Sequence, residues 1–242
     1  MTLKELYNLT NFIVRTTKKG KPLSVSMFAE MYNRRQVDYF QELYKVYEGN
    51  ISLCDSLRHF KVIKTEVDIA IVGSQYFNLP DDYFHISGLS YIDGTNYYPF
   101  DVVTKSQAVM RKTNFLTLPS ITNPICYEFD NKLYLSPYSS LLSLYFTYLR
   151  YPNDVVLDYY LGVDGTLNIL DVGDEHTWVT GDTDSNGDIR YSGGSVYVSA
   201  TVEPEWSDED SFRIINYILR DMGIILKDVS IYQYAAMQKN ES

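Results

Sequence analysis

Trp206–Ser207–Asp208–Glu209–Asp210–Ser211–Phe212–Arg213–Ile214–Ile215–Asn216–Tyr217–Ile218–Leu219–Arg220–Asp221–Met222–Gly223 is the stretch on which the fold turns. Ser207 can cap a helix, and Asp208, Glu209 and Asp210 set negative charge at the positive end of its dipole. Phe212, Ile215, Leu219 and Met222 recur at helical spacing as one apolar stripe, with Arg213, Asn216 and Arg220 opposite. Gly223 ends the helix.

Such a stripe needs an apolar partner, and the other end of the chain offers two. Residues 3–14 read as a short amphipathic helix whose face is Leu3, Leu6, Tyr7, Phe12 and Ile13. A loop over 16–23, marked by Gly20 and Pro22, precedes a second helix capped by Ser24 or Ser26. That helix runs to about Glu48 and stops at Gly49. Val25, Phe28, Tyr32, Tyr39, Leu43 and Val46 line one side of it, and Arg34, Arg35, Asp38 and Glu42 the other. A third short helix is expected over 53–60, and a last one over 228–238 before a polar end.

Between these the period changes. Val62, Val67, Ile69 and Ile71 form a β-branched stretch. Residues 76–80 lead through a turn at Asp81–Asp82 into a strand over 83–91. Strands over 125–129 and 132–135 flank Asp130–Asn131 as a hairpin. Residues 141–151 read as a long strand ended by Pro152, and 155–201 as short strands joined by Gly-, Asp- and Thr-rich loops. One helix, over 104–112, is inserted in this region. The order predicts an α+β fold in which N- and C-terminal helices (1–60 plus 205–242) form a bundle around a β-sandwich-like insertion (61–204).

Composition narrows the function. Asp and Glu outnumber Lys and Arg 31 to 21, a formal charge of −10, which argues against wrapping nucleic acid. The first residues lack the pattern of a secretory signal, and no run approaches the roughly 18 apolar residues of a membrane span. Cys54 and Cys126 stand far apart and unaccompanied, as expected of buried free thiols in a reducing compartment. The 23 Tyr exceed 11 Phe and 2 Trp, which suits either surfaces that become interfaces or a β-rich interior.

Chemistry is harder to find. His59, His85 and His176 show no metal-ligand spacing, and no nucleophile elbow, phosphate loop or dinucleotide fingerprint is present. No pair of carboxylates can be assigned to acid–base work, so the expectation is a protein that is not an enzyme. Asp182, Asp184, Asn186 and Asp188, with Gly187 among them, have the alternate oxygen spacing of a calcium loop, but the closing ligand position falls on Gly193. Two readings stay open there: a tight acidic β-turn needing no cofactor, or a non-helical calcium turn. Lys18, Lys19 and Lys21 with Arg34 and Arg35 are either a solvated basic group or contacts to phosphates. Ile231, Tyr232, Tyr234 and Met237 either finish the bundle or form a segment that orders on a partner.

Four pieces carry a resemblance. They are the paired first helices ending Tyr39–Phe40–Gln41–Glu42–Leu43–Tyr44, and Tyr76–Phe77–Asn78–Leu79–Pro80–Asp81–Asp82–Tyr83–Phe84. To these add the strands around Asn123–Pro124–Ile125, Asn131–Lys132–Leu133 and Tyr148–Leu149–Arg150–Tyr151–Pro152. The last is the closing helix pair ending Asp228–Val229–Ser230–Ile231–Tyr232–Gln233–Tyr234. In this order they resemble head–tail adaptor (ring, connector) proteins of short-tailed bacteriophages, especially crAss-like phage ring proteins. The resemblance implies a virion protein of the head–tail junction, assembled in the bacterial cytoplasm, without cofactor or membrane. Its partners would be copies of itself in a dodecameric ring, the portal protein, other tail or collar proteins, and packaged DNA sliding through without sequence-specific contact. Ile231, Tyr232, Tyr234 and Met237 would dock on the portal or a neighbour, and Lys18, Lys19, Lys21, Arg34 and Arg35 would meet the channel. A different class is a calcium-assisted carbohydrate- or surface-binding β module, which leaves the helices at both ends without a reason. A third is an enzyme whose acid–base site is assembled from distant residues, supported only by the abundance of carboxylates and Tyr.

Overall fold

A computed structural model describes residues 1–18, 22–47, 56–64, 75–93, 96–137, 143–189 and 193–224. Among these the chain is mixed α+β, with helices α1 (Leu3–Lys18), α2 (Val25–Tyr47), α3 (Lys105–Thr113) and α4 (Asp208–Asp221), and several small sheets. Ser207 caps α4 through a hydrogen bond from the Asp210 N–H, and the first turn carries Asp208, Glu209 and Asp210. The buried face of α4 is centred one position round from the expected stripe. Ser211, Ile214, Ile215, Ile218 and Leu219 are buried, while Phe212 and Met222 are only half-buried at its margin. α4 packs on both α1 and α2. In α1 the buried apolar side chains are Leu3, Leu6, Tyr7, Leu9 and Val14, and Phe12, expected on that face, is half exposed. In α2 they are Val25, Phe28, Tyr32, Tyr39 and Phe40, with Val46 outside. Of the two candidate serines Ser24 is the cap, its Oγ accepting from Met27 N–H at 3.2 Å. Trp206, just before α4, is buried against Tyr39 and Phe40. The helix expected over 53–60 is represented by a single short 3-10 turn, Arg58–Phe60, its beginning lying outside the described residues, as does the expected helix over 228–238.

The chain divides into two units. One is Phe60–Tyr151. It holds β1 (Lys61–Lys64), β2 (Tyr76–Asn78), β3 (Tyr83–Asp93), β4 (Asn96–Pro99), β5 (Asp101–Val102), β6 (Ile125–Phe129), β7 (Lys132–Ser136) and β8 (Ser143–Arg150). Two four-stranded sheets form, in the orders β1-β8-β3-β4 and β2-β7-β6-β5. A single apolar cluster draws on both, including Phe77, Leu89, Tyr91, Leu133, Phe146 and Tyr148. Cys126 is fully buried in it as a free thiol, and burial pushes its pKa up to about 12. The expected hairpin pairs Phe129 with Lys132, and Asp130 and Asn131 both have φ of 55°. This is the left-handed conformation that Asp and Asn tolerate better than most residues, in a turn whose twist matches the strands. β5 runs parallel to β6. A parallel pair needs a long crossover, and α3 lies in it, started by a capping box between Thr104 and Gln107.

The other unit is Met1–His59 with Pro152–Ser242. The β insertion therefore ends at Tyr151, and 152–204, expected to belong with it, joins the terminal helices. The reason is a set of hydrogen bonds. Asn33 of α2 donates to the Val155 carbonyl (3.0 Å) and accepts from the Val155 N–H (2.7 Å). Gln36 donates to the Asn153 carbonyl at 2.9 Å, and Lys4 pairs with Asp171 at 3.0 Å. The segment forms two antiparallel pairs, β9 (Tyr159–Leu161) with β10 (Leu167–Ile169) and β11 (Glu175–Thr177) with β12 (Val196–Val198). Pairs this small are marginal alone. They share a local aromatic core in which Tyr160 stacks on His176 at 3.7 Å between centroids and Trp178 meets both rings edge-on.

The helix faces can be checked by truncation. Leu6→Ala, at a fully buried site, is expected to cost about 2–5 kcal/mol. Phe12→Ala, on the half-exposed side, should cost clearly less in the same urea titration. Equal losses would return Phe12 to the core face.

Candidate functional site

Four places gather polar, charged or exposed apolar side chains. The first lies between α2 and α4. Asp210 is buried, and its carboxylate accepts from Tyr39 Oη at 2.6 Å, Ser207 Oγ at 2.7 Å and Ser56 Oγ at 3.3 Å. Burial, then the bond to Asp210, hold the Tyr39 phenol well above its ordinary pKa. Tyr32, raised chiefly by burial, donates to Ser211 Oγ at 3.2 Å. Trp206 Nε1 donates to Gln36 Oε1 at 3.2 Å, and Gln36 donates on to Asn33 at 3.0 Å. These bonds are directed at one another, which makes the network a device for register between helices.

The second is the basic group read from the sequence, of which Arg34 and Arg35 have described side chains. Arg35 is held by Asp221 at 2.5 Å and Asp38 at 2.6 Å, and the hydrogen bond to Asp221 raises its pKa further. Arg34 is exposed on α2, and Lys18 is the last residue of α1. Lys19 and Lys21 lie outside the described residues, as do Ile231, Tyr232, Tyr234 and Met237.

The third is the acidic turn. Asp184 Oδ1 accepts from the N–H groups of Asn186 (3.0 Å) and Asp188 (2.9 Å), and Gly187 has φ of +87°. Asp182 turns the other way: its Oδ2 accepts from the Val179 N–H at 2.9 Å and lies 3.0 Å from His176 Nε2. The Val179 bond, and then His176, hold its carboxyl below the usual carboxylate range. Asp184, Asn186 and Asp188 are thus brought round one turn by hydrogen bonds of that turn, with Asp182 committed elsewhere. Among the described residues no group of three or more His, Cys, Asp or Glu side chains is placed to hold a metal ion.

The fourth place was missed from the sequence. Ala108 is the one buried side chain of α3, packed with Val103 and Ile125. Beyond it the apolar side chains of the β5–β6 crossover face water: Met110 is 70 %, Phe115 90 % and Leu116 88 % exposed, with Val109, Leu118 and Ile121 also more than half exposed. Beside them the open face of the second sheet carries a row of rings. Tyr127 stacks on Tyr134 at 5.0 Å, and Tyr134 meets Tyr76 at 5.1 Å. Lys132 lies over Tyr76 (4.7 Å), Lys112 over Tyr127 (5.6 Å) and Lys105 over Phe129 (3.3 Å). Cations over ring faces hold such rings in an amphipathic surface. The signal was available: a nine-residue helix with one small inward residue leaves its large apolar neighbours no core to enter.

No protein-family model and no curated protein matches the chain.

Two tyrosines held by carboxylates give a pH signature. Tyr148, bonded to Asp82, and Tyr197, bonded to Asp158, are both pushed up to about 12, mainly by burial and then by those carboxylates. Unfolded tyrosine loses its proton near pH 10, roughly. The stability these phenols contribute is complete below about pH 10 and declines from there toward about pH 12, because the unfolded chain ionises first. Urea midpoints at stepped pH should ease down from about pH 8.5, where the thiol of Cys126 ionises in the unfolded chain but not in its buried site, then fall more steeply above about pH 10, and Tyr148→Phe should reduce the steeper part. A midpoint unchanged across the window would contradict the assignment.

Proposed function

We propose that the chain is a structural virion protein, a head–tail adaptor that forms a ring beneath the portal, extends the DNA channel and gives tail or collar proteins a platform. The observation that carries this reading is the apolar surface left open to water, above all Phe115 and Leu116 on the crossover. Exposed apolar surface on this scale suits a subunit completed by other polypeptides. The order of sequence pieces that resembles phage ring proteins supplies the particular kind of assembly.

In this reading α1, α2 and α4 are the bundle, and the two four-stranded sheets are the β-sandwich-like insertion. The bundle makes ring contacts and the insertion faces outward or toward the tail. The segment with Ile231, Tyr232, Tyr234 and Met237 docks on the portal or a neighbouring copy. Lys18, Lys19, Lys21 and Arg34 are the cations left to meet phosphates, Arg35 being taken up by its carboxylates. The reading needs no cofactor and no catalytic residue.

The test is mass by light scattering, alone and with a portal ring encoded in the same genome. A stable complex with the portal is expected. Deleting 231–242 should weaken that complex while leaving the urea midpoint of the remaining chain in place. A chain that ignores the portal under all assembly conditions overturns the reading.

A further inference from the structure

The chain's negative charge is concentrated in one segment. Between Pro152 and Pro204 stand ten carboxylates and a single basic residue, Arg190, a formal −9 out of −10 for the whole chain. Everything else is close to neutral. Part of this acidic segment is also an open apolar surface. In the β11–β12 pair His176 and Tyr197 are opposite each other, and both contact Trp178. Strand alternation then puts Glu175, Thr177, Val196 and Val198 together on the other face. Val196 is 61 % and Val198 56 % exposed, and Asp174 and Glu175 are exposed beside them.

The crossover in the other unit is its complement. Its apolar side chains are Met110, Phe115, Leu116 and Leu118, and its charged residues are Lys105, Arg111 and Lys112 against Asp101, which pairs with Arg111 and leaves Lys105 and Lys112 as the arm's net positive charge. Each surface is exposed on its own unit. Two copies meeting by the same face would set cations against cations or carboxylates against carboxylates. Two copies meeting head to tail would set the cationic apolar arm on the acidic apolar face, and the pair would keep one unused surface of each kind.

We infer that the β5–β6 crossover arm of one copy docks on the β11–β12 face of the next copy, a heterologous junction with Phe115 and Leu116 seated against Val196 and Val198. The inference rests on the ring reading for its closure and names the junction from which such a ring is built. Charge complementarity between the two surfaces selects a second copy of this chain as the occupant. It also requires the junction to weaken as salt is raised.

The experiment uses the full chain and two variants at exposed positions, Leu116→Asp and Val198→Lys, each checked for an unchanged circular dichroism spectrum. Sedimentation velocity at rising concentration should show wild-type self-association that decreases with salt. Each variant alone should associate about 30-fold more weakly or worse, as expected when a central apolar anchor is lost. Mixed together, the variants keep one intact surface each of opposite kind. They should form a one-to-one complex that stops at two chains. Self-association of Val198→Lys equal to wild type would mean that arms meet arms, and overturns the junction. Equal association of Leu116→Asp and wild type overturns it while leaving a ring with other contacts standing. A wild-type chain that stays monomeric at its highest soluble concentration also overturns it. A chain that self-associates by this junction but ignores the portal keeps the junction and removes the adaptor reading.

Discussion

The carboxylate of Asp210 holds the two ends of the chain together. It receives Tyr39 of α2, 171 residues away, and Ser207 at its own helix start. Without such anchors α4 would have to find α1 and α2 by apolar contact alone, after closing a loop that includes a whole second unit. Loop-closure entropy rises slowly with length, so the distance itself is tolerable. The difficulty is register, since an apolar stripe can slide or rotate against another at modest cost. Tyr39, Trp206, Gln36 and Asn33 remove that freedom. Each has one geometry in which its buried polar atom is satisfied, and leaving any of them unsatisfied costs about 1–3 kcal/mol. The same chain of bonds reaches Val155 and Asn153. It therefore fixes where the acidic segment begins as well as where α4 sits.

How much of this was legible in the sequence depends on the range of the interaction involved. The capped start of α4, the Asp130–Asn131 hairpin and the crossover helix were readable because their signals are local: a serine before acids, two residues tolerant of positive φ, a threonine three positions before a glutamine. The faces of the helices were less so. Phe12 and Phe212 have the size and spacing of core residues, yet the inward arc is set by neighbours distant in sequence, and it falls on Ser211, Ile214 and Ile218 instead. The grouping of 152–204 with the terminal helices was out of reach for the same reason. Composition marks 152–204 as β-rich and loop-rich, but its membership is decided by two α2 side chains, Asn33 and Gln36, which no local pattern links to Val155 and Asn153.

The candidate sites divide along the same line. Asp182, Asp184, Asn186 and Asp188 were legible as an oxygen-rich turn, and Asp184 does organise one by accepting two backbone N–H groups. What spacing could not reveal is that Asp182 points to His176 and Val179. Likewise Arg34 and Arg35 are adjacent in sequence but differ in environment, one open to water and one enclosed by carboxylates. Adjacent charges on a helix point in different directions, so a basic pair in a sequence is not yet a basic surface.

The distribution of charge changes what an acidic total can mean. A channel wall that repels phosphates is one use to which a charge of −10 can be put, and it assumes that the charge is spread over the surface DNA would pass. Nearly all of it resides between Pro152 and Pro204, in the segment that also presents Val196 and Val198. Screening confines its field to about 10 Å at ordinary ionic strength, so only surfaces built from that segment can repel DNA. The remainder of the chain, close to neutral and carrying Lys105, Arg111, Lys112 and Lys132 around exposed rings and aliphatic side chains, has the character of a surface that is to be covered. An assembly that buries the arm against the acidic face would consume part of the negative charge at its junctions. The charge left on its exterior would then be smaller than the sum over free chains, and any repulsion of DNA would have to come from the acidic residues that the junctions leave open.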